Sequence, residues 1–353
     1  MEGTETLACP SCRGRLVEGL DAWACDSCAA EYRGLWGIPD LRTADDLYLA
    51  NQDDWEFALR LSEDFDRLDF RGLLERYYDL SPEIPPDLRR RQIDHIMTAP
   101  ERAGHWLDAL GGVDAGPLLD LGCGTGSFLS AVGGRFEEAW GIDIAMRWLL
   151  VARKRLDEEG LSHIRLVCGC SEQLPFSDGL FSEVVAGDVI EHVGDQAATL
   201  AESFRVLQEG GGLFMASPNR FSLAPEPHVG VWGVGFLPRP WMIPYVRWAK
   251  DVDYRAIRTL GLGEWNRLLA SSPFGSGTLF APGLPEADFA HFGPAKRIVG
   301  RIYNRVITSG LGQFGAKRVG PLFHVVCRRS ADPSGRRPSP ATRPGSTPLA
   351  ASR

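Results

Sequence analysis

The stretch LLDLGCGTGSFL, residues 118–129, sets Gly122, Gly124 and Gly126 at alternate positions directly behind a short apolar run that carries Asp120. A short apolar run closed by glycine reads as a buried strand, and the segment after Gly126 as the start of a helix. A glycine-rich turn at such a junction leaves backbone N–H groups bare, and the helix dipole favours negative charge beside them. The pattern therefore predicts the seat of a nucleotide-like ligand. A Walker loop needs Gly-Lys followed by Ser or Thr, which is missing here. The glycines are spaced GxGxG, one residue short of the dinucleotide GxGxxG.

Outward from this turn, short β-branched runs alternate with longer amphipathic segments: PLLDL, a helix from Gly126, AWGID, a helix over 145–159, HIRLVC, FSEVVAG, a helix over 195–209, and GGLFMAS. Repeated βα units imply an α/β fold built on a doubly wound parallel sheet. Ahead of them, residues 43–112 show helical spacing in DDWEFALRLSEDFDRL and RRRQIDHIMTAPERAGHWLDAL, broken by SPEIPP at 81–86. These are expected to form a helical linker and cap. Residues 331–353, rich in Pro, Ser, Ala and Arg, are expected to be disordered.

The chain has 353 residues and a net charge of −8. That charge is unevenly spread: residues 1–238 carry 20 basic and 40 acidic side chains, and residues 239–353 carry 18 and 6. Such asymmetry fits either an anionic partner for the basic part or packing of one part on the other. No apolar run approaches the roughly 20 residues that span a bilayer, and no secretion signal is evident, so a cytoplasmic location is expected.

Four of the eight cysteines lie in the first 28 residues, as CPSC (Cys9, Cys12) and CDSC (Cys25, Cys28). Two residues between thiolates let one turn present both sulfurs to an ion, and two such turns complete a closed tetrahedral zinc shell. Structural Zn2+ is the expectation, with folding of this small segment linked to binding. The stretch CPSCRGRL…WACDSCAAEYRGLWGIPDL resembles the zinc ribbon of the small activator proteins of tRNA and protein methyltransferases. Residues 1–42 hold four arginines against seven acids, which disfavours phosphate binding and nucleic acid as a partner.

The combination LLDLGCGTG…GIDI…LPFSDGLFSEVVAGDVIEHV resembles class I S-adenosylmethionine-dependent methyltransferases over about residues 90–330. That resemblance implies a Rossmann-like seven-stranded sheet for a catalytic domain at 113–330, preceded by a ribbon at 1–42 and the linker at 43–112, with an insert at 218–262. It also implies that Gly122, Cys123, Gly124 and Gly126 surround the methionine part of S-adenosylmethionine. Asp120 would meet the ammonium, Asp143 the ribose hydroxyls, Ile144 the adenine ring, and Asp188 the region of the sulfur. Ser171 and Glu172 would lie beside adenine, where the family's usual Asp is replaced by Cys170. For Asp143 the plainer alternative is a helix cap for the segment from Ala145.

Methyl transfer is an in-line displacement at an already activated carbon, so positioning is the main task and a base helps when the nucleophile is a hydroxyl. Glu191 and His192, in DVIEHV, are the candidates to face the acceptor, with His192 as base because a histidine ordinarily titrates near neutrality. Packing under the next helix is the alternative role for His192. His228, in the proline- and tryptophan-rich insert, is a second candidate base. SPNR at 217–220 departs from the order found in amino-methylating relatives, which points to O-methylation of a small molecule: quinone-like, a natural product, a sugar or lipid-linked. An rRNA or tRNA methyltransferase is the alternative, and a non-catalytic binding module a third reading. The helix PAKRIVGRIYNRVITSG, with Arg297, Arg301 and Arg305 along one face, is either simply solvated or a contact for anionic lipid or a phosphate-bearing carrier. Oligomeric state is not legible.

Overall fold

A computed structural model of the chain describes residues 6–19, 22–82, 84–111, 116–285, 289 and 293–330. The expected disorder of 331–353 lies outside the described residues. Near the N-terminus, Leu16–Glu18 (β1), Ala22–Cys25 (β2), Glu31–Leu35 (β3) and Ile38–Pro39 (β4) form a small antiparallel sheet in the order β1-β2-β3-β4. So few strands bury little apolar surface, and the four thiols gathered beside them supply the missing cross-link when they hold a metal.

The main sheet has seven strands: Leu118–Leu121 (β5), Ala139–Asp143 (β6), Arg165–Cys168 (β7), Phe181–Gly187 (β8), Leu207–Pro218 (β9), Thr278–Phe280 (β10) and Leu322–Arg328 (β11). Their order is β10-β11-β9-β8-β5-β6-β7; β5 to β9 run parallel and β11 is antiparallel to both its neighbours. The core strands read as near-continuous apolar runs because helices cover both faces, as parallel sheets require. The chain reverses its direction of winding at β5, and such a switch point opens a crevice at the carboxyl ends of the strands.

The helices Asn51–Ser62 (α1), Phe70–Asp79 (α2), Pro86–Met97 (α3) and Ala99–Ala103 (α4) precede the sheet, and α1 and α2 pack on Met146–Glu158 (α6), their Trp55, Phe57, Leu73 and Tyr77 joining Leu149 and Val151 in one apolar cluster. Ser127–Val132 (α5) follows the glycine turn, and Gln196–Val206 (α7) follows β8. Helix α7 ends three residues before the expected 209, because Leu207 already pairs with Phe181 as the first residue of β9. The insert is clamped at its base by a bridge between Asn219 and Leu260. It contains Arg239–Lys250 (α8) and a small core of its own built on Val231, Val234, Met242, Val246 and Tyr254. Leu262–Ser271 (α9), Pro294–Val306 (α10) and Gly310–Val319 (α11) complete the elements named here.

The ribbon is joined to the main sheet edge to edge. Asp40 bridges Cys168 in parallel, Leu41 N–H donates to the Cys168 carbonyl at 2.7 Å, and Ala8 N–H to the Pro175 carbonyl at 2.9 Å. The free edge of β7, an open row of backbone groups, is thereby covered.

Candidate functional site

Two cavities of about 450 Å³ each flank the carboxyl end of β5, and both are lined by Gly122, Gly124 and Asp188. The first is walled by Asp143, Ile144, Cys170, Ser171, Glu172 and His192 and is crossed by residues 44–48. The second contains Asp120, Cys123, Trp106 and His324. Every expected cofactor residue except Gly126 therefore borders one cavity or the other.

The three glycines turn out to have three different reasons. All have a positive φ, at 73°, 50° and 72° for Gly122, Gly124 and Gly126. A Cβ on Gly122 would lie 2.4 Å from Val189 Cγ2, and one on Gly126 3.2 Å from the Ala152 Cβ on α6. Only at Gly124 would a Cβ meet no protein atom and project into open space. Gly122 and Gly124 border both cavities, with room for a Cβ at Gly124 alone, whereas Gly126 lets α5 and α6 approach each other.

Asp143 ends β6 and turns into the crevice. Its Oδ2 accepts the Gly124 N–H and its Oδ1 the Ala145 N–H, both at 2.9 Å. Asp143 is not the helix cap, since α6 starts at Met146 after Ala145 and its Met146 N–H goes to Asp54; two amides fix the Asp143 carboxylate while each oxygen keeps a further lone pair for a hydroxyl. Asp120 is buried, and its Oδ2 has no hydrogen-bond partner. Burial, with Asp143 nearby, raises the Asp120 carboxyl well above its usual range. A buried, unsatisfied carboxyl oxygen is costly and calls for a cation or donor from outside the chain. The ammonium of S-adenosylmethionine would supply one, and the residues present fit that group.

In the wall of the first cavity, Cys170 directs its thiol to the Ala44 carbonyl, with 3.7 Å between sulfur and oxygen. Glu172 accepts the Gly194 N–H at 2.8 Å through Oε1 and the Ser171 hydroxyl at 2.9 Å through Oε2. Glu172 thus ties together two loops of the pocket wall. The strap 44–48 is anchored at both ends. Arg42 donates to Asp40 and, at 2.7 Å, to Asp54, and also donates to the Ile144 carbonyl; Asp54 in turn accepts the Met146 N–H and Arg147. Asp54 is fully buried, and this network satisfies it with two guanidinium groups and the backbone amides of Met146 and Arg147.

Past Asp188, Glu191 is buried and accepts the Ser217 hydroxyl at 3.0 Å. Its other oxygen has no hydrogen bond and lies 3.9 Å from His228 Nε2. Burial and the neighbouring Asp188 push the Glu191 carboxyl well above its ordinary value. The His192 and His228 rings meet edge to face with centroids 4.7 Å apart. Burial, with His228 beside it, lowers His192 to about 4, below the near-neutral value expected of the residue type. His192 is therefore a neutral imidazole at physiological pH. Glu191, His192 and His228 each bring a ligand-type atom within 4.8 Å of the others, a set whose chemistry suits a divalent cation as well as a proton.

Two residues beside these histidines were not singled out from the sequence. Tyr48 Oη lies 2.6 Å from His192 Nδ1, and Glu226 Oε1 lies 2.5 Å from His228 Nδ1. A carboxylate at Nδ1 fixes a histidine's tautomer and orientation, leaving Nε2 to accept a proton. The pairing of Glu226 with His228 was legible as Glu-x-His. Nothing local marks Tyr48, which comes from the strap.

The four ribbon cysteines bring their sulfurs within 4.8 Å of one another, with Cys9 to Cys28 at 3.7 Å and Cys12 to Cys25 at 3.4 Å. Zinc–sulfur bonds of about 2.3 Å in a tetrahedron imply sulfur separations of about 3.8 Å. The set fits zinc.

Residues 119–215 match the family model described as "Methyltransferase domain". The chain is similar to the ubiquinone biosynthesis O-methyltransferase of Thiobacillus denitrificans, at 28% identity over 151 residues, covering 43% of this chain and 61% of that one. It is also similar to the demethylmenaquinone methyltransferase of Anoxybacillus flavithermus, at 34% identity over 96 residues, covering 26% and 40%. Among solved structures, Haemonchus contortus phosphoethanolamine N-methyltransferase 2 in complex with S-adenosylmethionine aligns at 15% identity with a TM-score of 0.44, covering 65% of this chain and 52% of that one. The chain thus spans about 60% or less of the length of these curated relatives. The matched segment, residues 119–215, runs from β5 into β9 of the seven-stranded sheet, whose α/β layout matches the Rossmann-like methyltransferase fold.

Proposed function

We propose that the chain transfers the methyl group of S-adenosylmethionine to a hydroxyl of a small, quinone-like or otherwise apolar biosynthetic intermediate. The observation that carries this reading is the meeting of two unlike cavities at Asp188. The first holds Asp143, the open backbone at Gly124 and, in the same wall, His192 of the Glu191–His192–His228 cluster; the second holds the unpartnered Asp120. The names of the quinone-methylating relatives support the acceptor class.

The bound cofactor supplies an activated methyl carbon. The protein's residues do the rest. Asp143 and Asp120 hold the cofactor by ribose and ammonium, and the strap 44–48 excludes water from the adenosine side. With S-adenosylmethionine bound, its methyl group would pass to the acceptor hydroxyl, whose proton the histidine pair would take. His192 borders the cavity in the neutral, proton-accepting form. His228, held by Glu226, stands behind it to share the charge. The ribbon, with structural zinc, covers the edge of β7 and tethers the strap. The domain limits 1–42, 43–112 and 113–330 are part of the same reading.

Calorimetry with S-adenosylhomocysteine, followed by transfer of labelled methyl from S-adenosylmethionine to a panel of catechols and hydroxyquinones, tests it. The expected result is micromolar product binding and an ether-linked label on a hydroxylated ring. Absence of any binding heat would remove the enzyme assignment. Binding without transfer to any hydroxyl, but with transfer to an amine or carbon acid, would remove the O-methyl assignment.

A further inference from the structure

The helical hairpin formed by α10 and α11 is amphipathic in the wrong sense for a helix pair on a water-exposed surface. In α10 the inward side is small or polar. Gly300 packs so closely on Phe289 that a Cβ would lie 2.5 Å from its ring, Tyr303 Oη donates to the Pro282 carbonyl at 3.1 Å, and Asn304 accepts the Leu284 N–H at 2.7 Å. With about 100° per residue, the side opposite to these carries Ile298, Ile302, Val306 and Val299. All four are half or more exposed, from 50% at Val306 to 65% at Val299. In α11 the inward residues are Gly312, Gln313 and Ala316, while Leu311 at 86% and Phe314 at 58% exposure point away. A surface helix ordinarily buries its apolar stripe and wets its polar one. Here the stripe has no partner among the described residues, and a contiguous patch of this kind marks an interface.

The charge around the stripe identifies the occupant. Residues 289–330 contain eight Lys and Arg and no Asp or Glu, in a chain whose net charge is −8. Arg301 and Arg305 lie along one flank of the α10 stripe, and the Arg318 guanidinium stacks 3.5 Å from the centre of the Phe314 ring. A second copy docked by symmetry would set these cations against their own counterparts, with no acids in the hairpin to offset them. Nucleic acid would use the cations and leave the aliphatic stripe in water. An anionic bilayer uses both, with the aliphatic side chains at the acyl boundary and the guanidinium groups among headgroup phosphates.

The exposed apolar surface continues from the hairpin to the insert. Leu223 N–H donates to the Val319 carbonyl at 3.0 Å, Trp232 Nε1–H to the Leu223 carbonyl at 2.9 Å, and Tyr245 Oη to the Trp232 carbonyl at 3.0 Å; Tyr245 stacks on Trp248. Trp232 and Trp248 are 60% and 81% exposed, and Trp232 follows His228 by four residues. We propose that the 294–319 hairpin, extended by the tryptophans of the insert, is a docking face for an anionic lipid bilayer. The assignment rests on this surface and not on the identity of the methyl acceptor.

Co-sedimentation of the full chain with vesicles tests it without any activity readout. Vesicles of phosphatidylcholine with phosphatidylglycerol are expected to bind at least about tenfold more tightly than phosphatidylcholine alone, with binding lost at high salt. Both the R301E/R305E and the L311S/F314S variants are expected to lose about tenfold or more in vesicle affinity, while their calorimetric binding of S-adenosylhomocysteine stays that of the parent and shows them folded. Equal binding to both vesicle types, or variants that bind like the parent, would overturn the proposal. So would a dimer dispersed by L311S/F314S, or tighter salt-sensitive binding to RNA than to vesicles.

Discussion

The two sides of the crevice are built on opposite plans. On the side proposed for the cofactor, Asp143 accepts the Gly124 and Ala145 N–H groups and Glu172 the Gly194 N–H and the Ser171 hydroxyl, so backbone amides supply three of these four bonds. On the acceptor side, Tyr48, Glu191, Ser217, Glu226 and His228 come from the strap, the end of β8, the end of β9 and the insert, and they meet through side chains alone. A seat held mainly by backbone N–H groups tolerates changes of the side chains around it, whereas a cluster of side chains assembled from four segments is easily reshaped. That contrast is how one sheet keeps its cofactor while its acceptor varies.

Substitutions on each side sharpen or break this contrast. The largest effect is expected for the H192N/H228N pair. Removing the proton acceptors should lower kcat by 10²- to 10⁴-fold while the affinity for S-adenosylhomocysteine changes by less than about twofold. A parallel loss of cofactor affinity would break the separation of the two sides.

The converse variant is Asp143→Asn. Two charge-assisted bonds at about 1.5 kcal/mol each predict roughly a hundredfold weaker binding of S-adenosylhomocysteine by calorimetry. The acceptor KM should stay within about twofold.

Tyr48→Phe removes the oxygen 2.6 Å from His192 Nδ1 but keeps the ring over the pocket. A fall of about tenfold in kcat, with the acidic limb of the pH–rate profile displaced and the cofactor affinity unchanged, would place Tyr48 as a positioning residue for His192. An unchanged pH profile would reduce it to packing.

The smallest effect concerns stability. His324 is buried between Phe214 and Phe280, and burial lowers it to about 4. The unfolded chain binds a proton at this residue from about pH 6.5 downward, and the folded one only near pH 4, so between these values acid favours unfolding. The parent should lose melting temperature relative to His324→Phe as the pH falls through that window. A constant difference between the two would show that His324 is not held neutral.

Much of the main sheet was legible in advance because its strands obey local rules. AWGID and FSEVVAG are β6 and β8 to the residue, and the expected helix at 145–159 matches α6 to within one residue at each end. The end of α7 was not legible. Leu207 continues the apolar pattern of the helix and is claimed instead by pairing with Phe181, a contact between residues 26 apart. Residues 43–50 were read with the helical linker, yet the buried Arg42–Asp54–Arg147 network draws out 44–48 as a strap over the cofactor pocket. In the glycine turn, the positive φ angles follow from residue type, but which glycine faces the ligand depends on where Val189 and Ala152 arrive.

By itself the sequence determined the order of strands and helices, the four-thiol cluster, and the two aspartates at the tips of β5 and β6, because each depends on residue type and short spacing. Only the tertiary structure decided that Tyr48 and the Glu226–His228 pair stand beside His192, that the ribbon covers the edge of β7, and that the apolar stripe of the 294–319 hairpin faces outward. Each of these rests on contacts between distant segments, and chain closure over such separations is set by the packing of the whole core and leaves no periodic trace in either segment.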